Sequence, residues 1–103
     1  MSRAAFHIGQ LVQHRLFEYR GVVYDVDPVF QGTDAWYADV ARSRPPRDRP
    51  WYRVLVDGKG TETYVAERNL EPDSRDGPVD HPKIWQFFTG FENGIYHYRR
   101  DAN

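Results

Sequence analysis

The sequence predicts a mainly β fold: a small antiparallel barrel of about five strands with one or two short helices. Three observations point there. Short runs such as "GVVYDVDP" and "WYRVLV" alternate at the period of a strand. Tight-turn signals separate them, Asp57-Gly58 most clearly, because Asp-Gly supplies the positive φ that a hairpin needs. Helical spacing appears only in short stretches. Closure into a barrel also solves the edge-strand problem for so short a chain.

The elements follow in order. "HIGQLVQHR" opens with a glycine and alternates, Leu11 and Gln13 on one face, Val12 and His14 on the other. "LFEYRG" is a turn-like link. In the second strand Val22, Tyr24 and Val26 share a face, and Val23, Asp25 and Asp27 take the other. Pro28 has no N–H and ends the ladder. Thr33 or Asp34 caps a short helix through "AWYADVA", where Val40 shares a face with Trp36 or Tyr37. "RSRPPRDRP" has three prolines in nine residues and reads as a long, mobile, arginine-bearing loop.

"WYRVLV" is the third strand, with Tyr52, Val54 and Val56 on one face, and "TETYVA" returns as the fourth. "AERNLEP" is a helical turn feeding a short strand around Leu70, closed by Pro72. Residues 73–103 form a tail that packs on the barrel: a polar link, a helical stretch in which Ile84, Phe87 and Phe88 sit at i, i+3 and i+4, and an edge strand at "IYHY". The leading glycine, the long second connection and the turn before the last barrel strand make the topology SH3-like. The 103 residues fit one domain.

Composition excludes several functions. Without cysteine there is no disulfide scaffold, zinc–thiolate site, iron–sulfur cluster or thiol nucleophile. No apolar run approaches the ~20 residues of a membrane span, and the start has no signal-peptide core, so a soluble, cytoplasmic protein is expected. The serines, Ser2, Ser43 and Ser74, stand in terminal or linker context, none in Gly-x-Ser-x-Gly. His7, His14, His81 and His97 include no i, i+4 pair. His14 beside Asp25 or Asp27 reads as a hydrogen-bonded barrel histidine rather than a ligand, and the two aspartates as a polar face. "DGKGTE" lacks the first glycine and the Ser/Thr of a phosphate loop and is a hairpin turn. No catalytic residue, metal or cofactor is expected.

Charge is informative by position. Net charge is −1, yet residues 41–55 carry five arginines against Asp48 alone, while residues 56–80 carry seven acids against three bases. Arg42, Arg44, Arg47, Arg49 and Arg53 can grip phosphates, and Trp36, Trp51 and Tyr52, which flank them, can stack on bases or on the guanidinium groups. The alternative is that Trp51 and Tyr52 are core residues of the third strand and the arginines only solvate a Pro-rich loop. The residues alone leave both open.

"FHIGQLVQHRLFEYRGVVYDVDP", "PWYRVLVDG", "TYVAERNLEP" and "HPKIWQFFTGFENGIYHY" resemble, in this order, the YccV-like or HspQ family, and the resemblance spans residues 6–98. It implies an SH3-like barrel, no catalysis, and one of two activities. One is binding DNA, with preference for hemimethylated sites. The other is assisting Lon-dependent proteolysis in the heat-shock response, as an adaptor or regulator of the Lon protease. For the adaptor reading the expected surface is Glu62 and Glu67 at the hairpin edge with the aromatics Trp85, Phe91 and Tyr96 of the tail. An aromatic cage for a cationic ligand is a third reading. The oligomeric state, a homo-oligomer included, is left open.

Overall fold

The computed structural model describes residues 3–100. Its elements are β1 (Leu11–His14), β2 (Arg20–Asp27), α1 (Asp34–Val40), β3 (Trp51–Val56), β4 (Glu62–Ala66), a 3-10 turn (Glu67–Asn69), β5 (Leu70–Pro72), α2 (Ile84–Phe87), β6 (Phe88–Glu92) and β7 (Ile95–Tyr98). The first five strands form one antiparallel sheet in the order β4-β3-β2-β1-β5, and β6 and β7 form a separate hairpin. The mainly β architecture with short helices is the one expected.

One face of the five-stranded sheet encloses an inner core of Val12, Val23, Tyr52, Val54, Val65 and Leu70, with Phe6 beside them. All five strands contribute, so the sheet is strongly curled. Tyr19 and Thr63 share a hydrogen bond of 2.8 Å that carries the β1–β2 turn across to β4. Backbone pairing does not close the barrel: β4 and β5 remain its two edges.

The faces of β2 differ from the simple alternation. Register shifts between Val23 and Asp25, so Val26 pairs with Tyr52 and packs in the inner core instead of joining Val22 and Tyr24. The extra residue of a bulge reverses the parity of everything after it. Asp25 and Asp27 consequently share the outer face with Arg53 and Trp51.

Two groups cover that outer face. At the hairpin end, Leu11, Val22 and Leu55 pack against Val79, Ile84, Phe88 and Tyr96. The tail thus packs on the outer face of the sheet. The tail holds two strands where one was expected. Phe88 begins β6 rather than continuing the helix, and Asn93 and Gly94, with φ of 54° and 77°, make the tight turn into β7. Arg20 anchors this layer, reaching Asp73 at 2.9 Å, Asp57 at 3.0 Å and the carbonyls of Pro78 and Gly77. Gly9 is required where the layer meets β1: its φ is +94°, and a Cβ there would lie 2.0 Å from the Tyr96 carbonyl oxygen.

Candidate nucleic-acid interface

At the other end of the outer face, the connection between β2 and β3 builds an aromatic layer. Thr33 Oγ1 accepts from Trp36 N–H at 3.1 Å and caps α1. The packed stripe is Trp36, Tyr37 and Ala41; Val40 is exposed, off the face it was expected to share. Phe30 lies edge-on to Trp51 at 4.8 Å, Trp36 edge-on to Trp51 at 6.0 Å, and Tyr64 is 5.2 Å from Trp51. Such pairs each contribute about 0.5–1.5 kcal/mol beyond the area they bury.

The Pro-rich loop is pinned, against the mobility its composition suggests. Pro45 and Pro50 are fully buried. Tyr37 Oη donates to the Pro45 carbonyl at 2.7 Å, Trp51 Nε1 to the Pro46 carbonyl at 3.0 Å, and Phe30 N–H to the Arg47 carbonyl at 2.9 Å. Proline carbonyls act as acceptors and the missing proline N–H groups leave nothing unsatisfied, which lets the loop lie against aromatic side chains.

The five candidate arginines separate into two sets. Arg47 holds the loop: it pairs with Asp34 at 2.5 Å, and its guanidinium stands 5.0 Å and 4.8 Å from the Phe30 and Tyr37 ring centres. Arg53 stands on the sheet away from the loop, 4.5 Å from the Tyr64 ring centre and 3.8 and 3.9 Å from Asp25 and Asp27. Arg42, Arg44 and Arg49 are exposed and have no ion-pair partner among the described residues. The 3-10 turn supplies a fourth cation: exposed Arg68 donates to the Ser43 carbonyl, which places it beside Arg42 and Arg44, and it lines a small cleft with Arg49. Arg15 N–H bonds the Asn69 carbonyl at 2.8 Å, and its Nε donates to the Leu70 carbonyl at 3.3 Å. Arg68 lies outside the basic sequence run, so charge counting along the chain misses it. Only the "AERNLEP" turn hinted that the chain doubles back here.

The aromatic candidates fare differently from one another. Trp51 and Tyr52 are buried, 1% and 0% exposed, and cannot stack on a base. Tyr52 Oη donates to Glu67 Oε1 at 2.5 Å and accepts from Phe6 N–H at 3.2 Å. Trp36 is half-buried with one side in the aromatic layer. Tyr64 Oη donates to Asp27 at 2.6 Å, and burial followed by that carboxylate pushes its hydroxyl up to about 12. Burial and Glu62 do the same to Tyr24, also to about 12.

Of the residues expected for a protein partner, Trp85 is exposed and Phe91 half-buried, while Tyr96 is buried with its hydroxyl bonded to Val79 N–H at 2.8 Å. Glu62 is exposed and engaged by Lys83 at 2.6 Å and Tyr24 at 2.8 Å. Glu67 holds Tyr52 and Ala5 N–H and so serves the scaffold. The two buried histidines commit ring nitrogens to the backbone. His14 Nδ1 accepts from Leu16 and Phe17 N–H, both at 3.1 Å, and burial holds its pKa below 6.5. His81 Nδ1 accepts from Lys83 N–H, so its Nε2 donates to the Thr61 carbonyl.

Residues 4–95 match the model of the family described as hemimethylated DNA-binding protein YccV like. The chain belongs to the YccV-like family. The matched span takes in the five-stranded sheet, the arginine loop, the 3-10 turn and most of the β6–β7 layer. Within this YccV-like domain Arg42, Arg44, Arg49 and Arg68 are exposed toward the end of the sheet where β3 begins and β4 ends.

Proposed function

We propose that this chain is a non-enzymatic DNA-binding module that prefers hemimethylated duplex. Its phosphate contacts are Arg42, Arg44, Arg49 and Arg68. The observation that carries this reading is that these four exposed guanidinium groups, none with an ion-pair partner among the described residues, lie on or beside a proline-pinned loop of a YccV-like domain. A fixed loop loses little entropy on binding, and bidentate guanidinium contacts suit phosphate oxygens. Exposed Val40, two residues from Arg42, supplies an apolar contact of the kind a methyl group in the major groove needs.

Titration of matched unmethylated, hemimethylated and fully methylated duplexes across a salt series tests it. Four phosphate contacts give a log–log slope of about −3.6, at about −0.9 per contact, and each Arg→Ala change removes roughly 0.9 from it. Lys59→Ala, at the opposite hairpin end of β3 and β4, leaves the slope unchanged. A flat salt dependence, or equal affinity for the three duplexes, rejects the reading.

A second reading, adaptor to the Lon protease in the cytoplasmic heat-shock response, draws on the exposed Trp85, Ile95 and Tyr98 of the C-terminal layer. Capture of Lon that survives charge reversal at Arg42, Arg44 and Arg49 but is lost on Trp85→Ala supports it.

A further inference from the structure

The free edge of β4 floors a groove of about 750 Å³, and all five residues of the strand line it. Ladder alternation sets which backbone groups point in. Val56 N–H bonds to the Thr61 carbonyl, and on the other side of β3 Asp57 N–H bonds to the Arg20 carbonyl. Continued along the register, Thr63 and Val65 bond back to β3. The N–H and C=O groups of Glu62 and Tyr64, and the N–H of Ala66, therefore face away from β3. β4 pairs with no other strand, and no hydrogen bond among the described residues reaches these groups.

Sheet edges are ordinarily blunted by proline, lysine, bulges or brevity. The opposite edge obeys this: β5 has three residues and ends in Pro72. β4 does not. Its run "ETYVA" has no proline or lysine, and its register with β3 is unbroken. The walls of the groove are apolar. Leu16 and Phe17, 60% and 74% exposed, project from the β1–β2 turn, and Trp36 and Val40 face them from α1. Arg42 lines the groove with no ion-pair partner among the described residues, whereas Glu62, at the start of the strand, is already paired with Lys83.

We propose that this groove captures one extended peptide segment, which adds to β4 as a further strand. Unpaired ladder groups on an apolar floor are satisfied by an extended backbone, and side chains alternating along it meet the two walls. The contact from Glu62 to Ala66 covers about five residues, or ~13 Å at a strand's rise. Arg42 selects a segment with a carboxylate beside it. Duplex DNA presents no ladder of amide donors and acceptors. A second copy of this chain would bring its own α1 and β1–β2 turn against these walls.

The test is amide hydrogen exchange on the full chain, titrated with the peptide acetyl-Thr-Val-Thr-Phe-Val-Asp-amide. Two further versions are N-methylated at the odd or at the even positions. Exchange at Glu62, Tyr64 and Ala66 is expected to slow at least about tenfold, with Thr63 and Val65 unaffected, since they are already bonded. Only one of the two N-methylated versions should bind, because only one set of amides faces β4. Arg42→Glu should weaken binding roughly tenfold, the scale of one charge-assisted hydrogen bond. The proposal is overturned by absence of saturable binding at ~1 mM peptide or by equal binding of both N-methylated versions. It is also overturned if these amides are protected by rising protein concentration alone, which is self-association, or by duplex DNA and not by peptide.

Discussion

Replacing Tyr52 with phenylalanine removes one oxygen from the inner core and decides whether this residue is scaffold or contact. The ring is fully buried and packs edge-on to Phe6 at 5.3 Å, so a phenylalanine keeps its apolar contribution. What is lost is the hydroxyl, which donates to Glu67 at 2.5 Å and accepts from Phe6 N–H at 3.2 Å. A hydrogen bond to a charged acceptor contributes about 1.5–3 kcal/mol, and a buried N–H left alone costs about 1–3 kcal/mol. Glu67 is partly solvated and keeps Ala5 N–H at 2.8 Å, which puts its share at the low end. The sum is about 2.5–4.5 kcal/mol, or a fall in Tm of roughly 10–35 °C for a chain of this size. Urea unfolding should show a lower midpoint with an unchanged slope. DNA affinity, measured well below both melting temperatures, should stay within about twofold of the parent, a difference under half a kcal/mol. An unchanged Tm, or a folded variant that has lost DNA binding, would refute the placement of this ring in the scaffold.

Arg20→Met should cost about 3 kcal/mol in urea unfolding, because the Asp73 side chain, 0% exposed, keeps only Arg75 as an ionic partner. Limited proteolysis should then cut within residues 73–82. Gly9→Ala places a Cβ 2.0 Å from the Tyr96 carbonyl at a positive φ and should cost several kcal/mol; near-UV circular dichroism reports the loosened Tyr96 layer. His14 predicts an acid limb. Burial lowers its pKa in the folded state, so the unfolded chain takes up the proton first. Stability is full above pH 6.5 and falls as pH drops below it, until the folded protein is protonated too. His14→Gln should flatten that part of a pH series of urea midpoints, and an unchanged limb would assign it to carboxylates.

Local pattern was enough for much of the architecture. Alternation marked β1 to β4, Asp57-Gly58 the hairpin, Thr33 or Asp34 the cap of α1, of which Thr33 serves, and the "AERNLEP" turn the 3-10 segment. The missed strand β6 had a signal as well, the Asn93-Gly94 pair, but it was masked by the helical spacing that runs into Phe88. The basic segment was visible as composition, and its free members were not.

The sequence by itself determined the periods, turns and charges, because each of these depends on residues a few positions apart. Tertiary structure alone decided which face Val26 takes after the bulge and that Tyr52 and Tyr96 lie inside. It also decided that Arg47 and Arg53 are engaged while Arg68 joins Arg42, Arg44 and Arg49, and that β4 keeps an unpaired edge. These depend on which distant segment occupies the space beside a residue, and strand pairing and packing settle that only when the chain has folded.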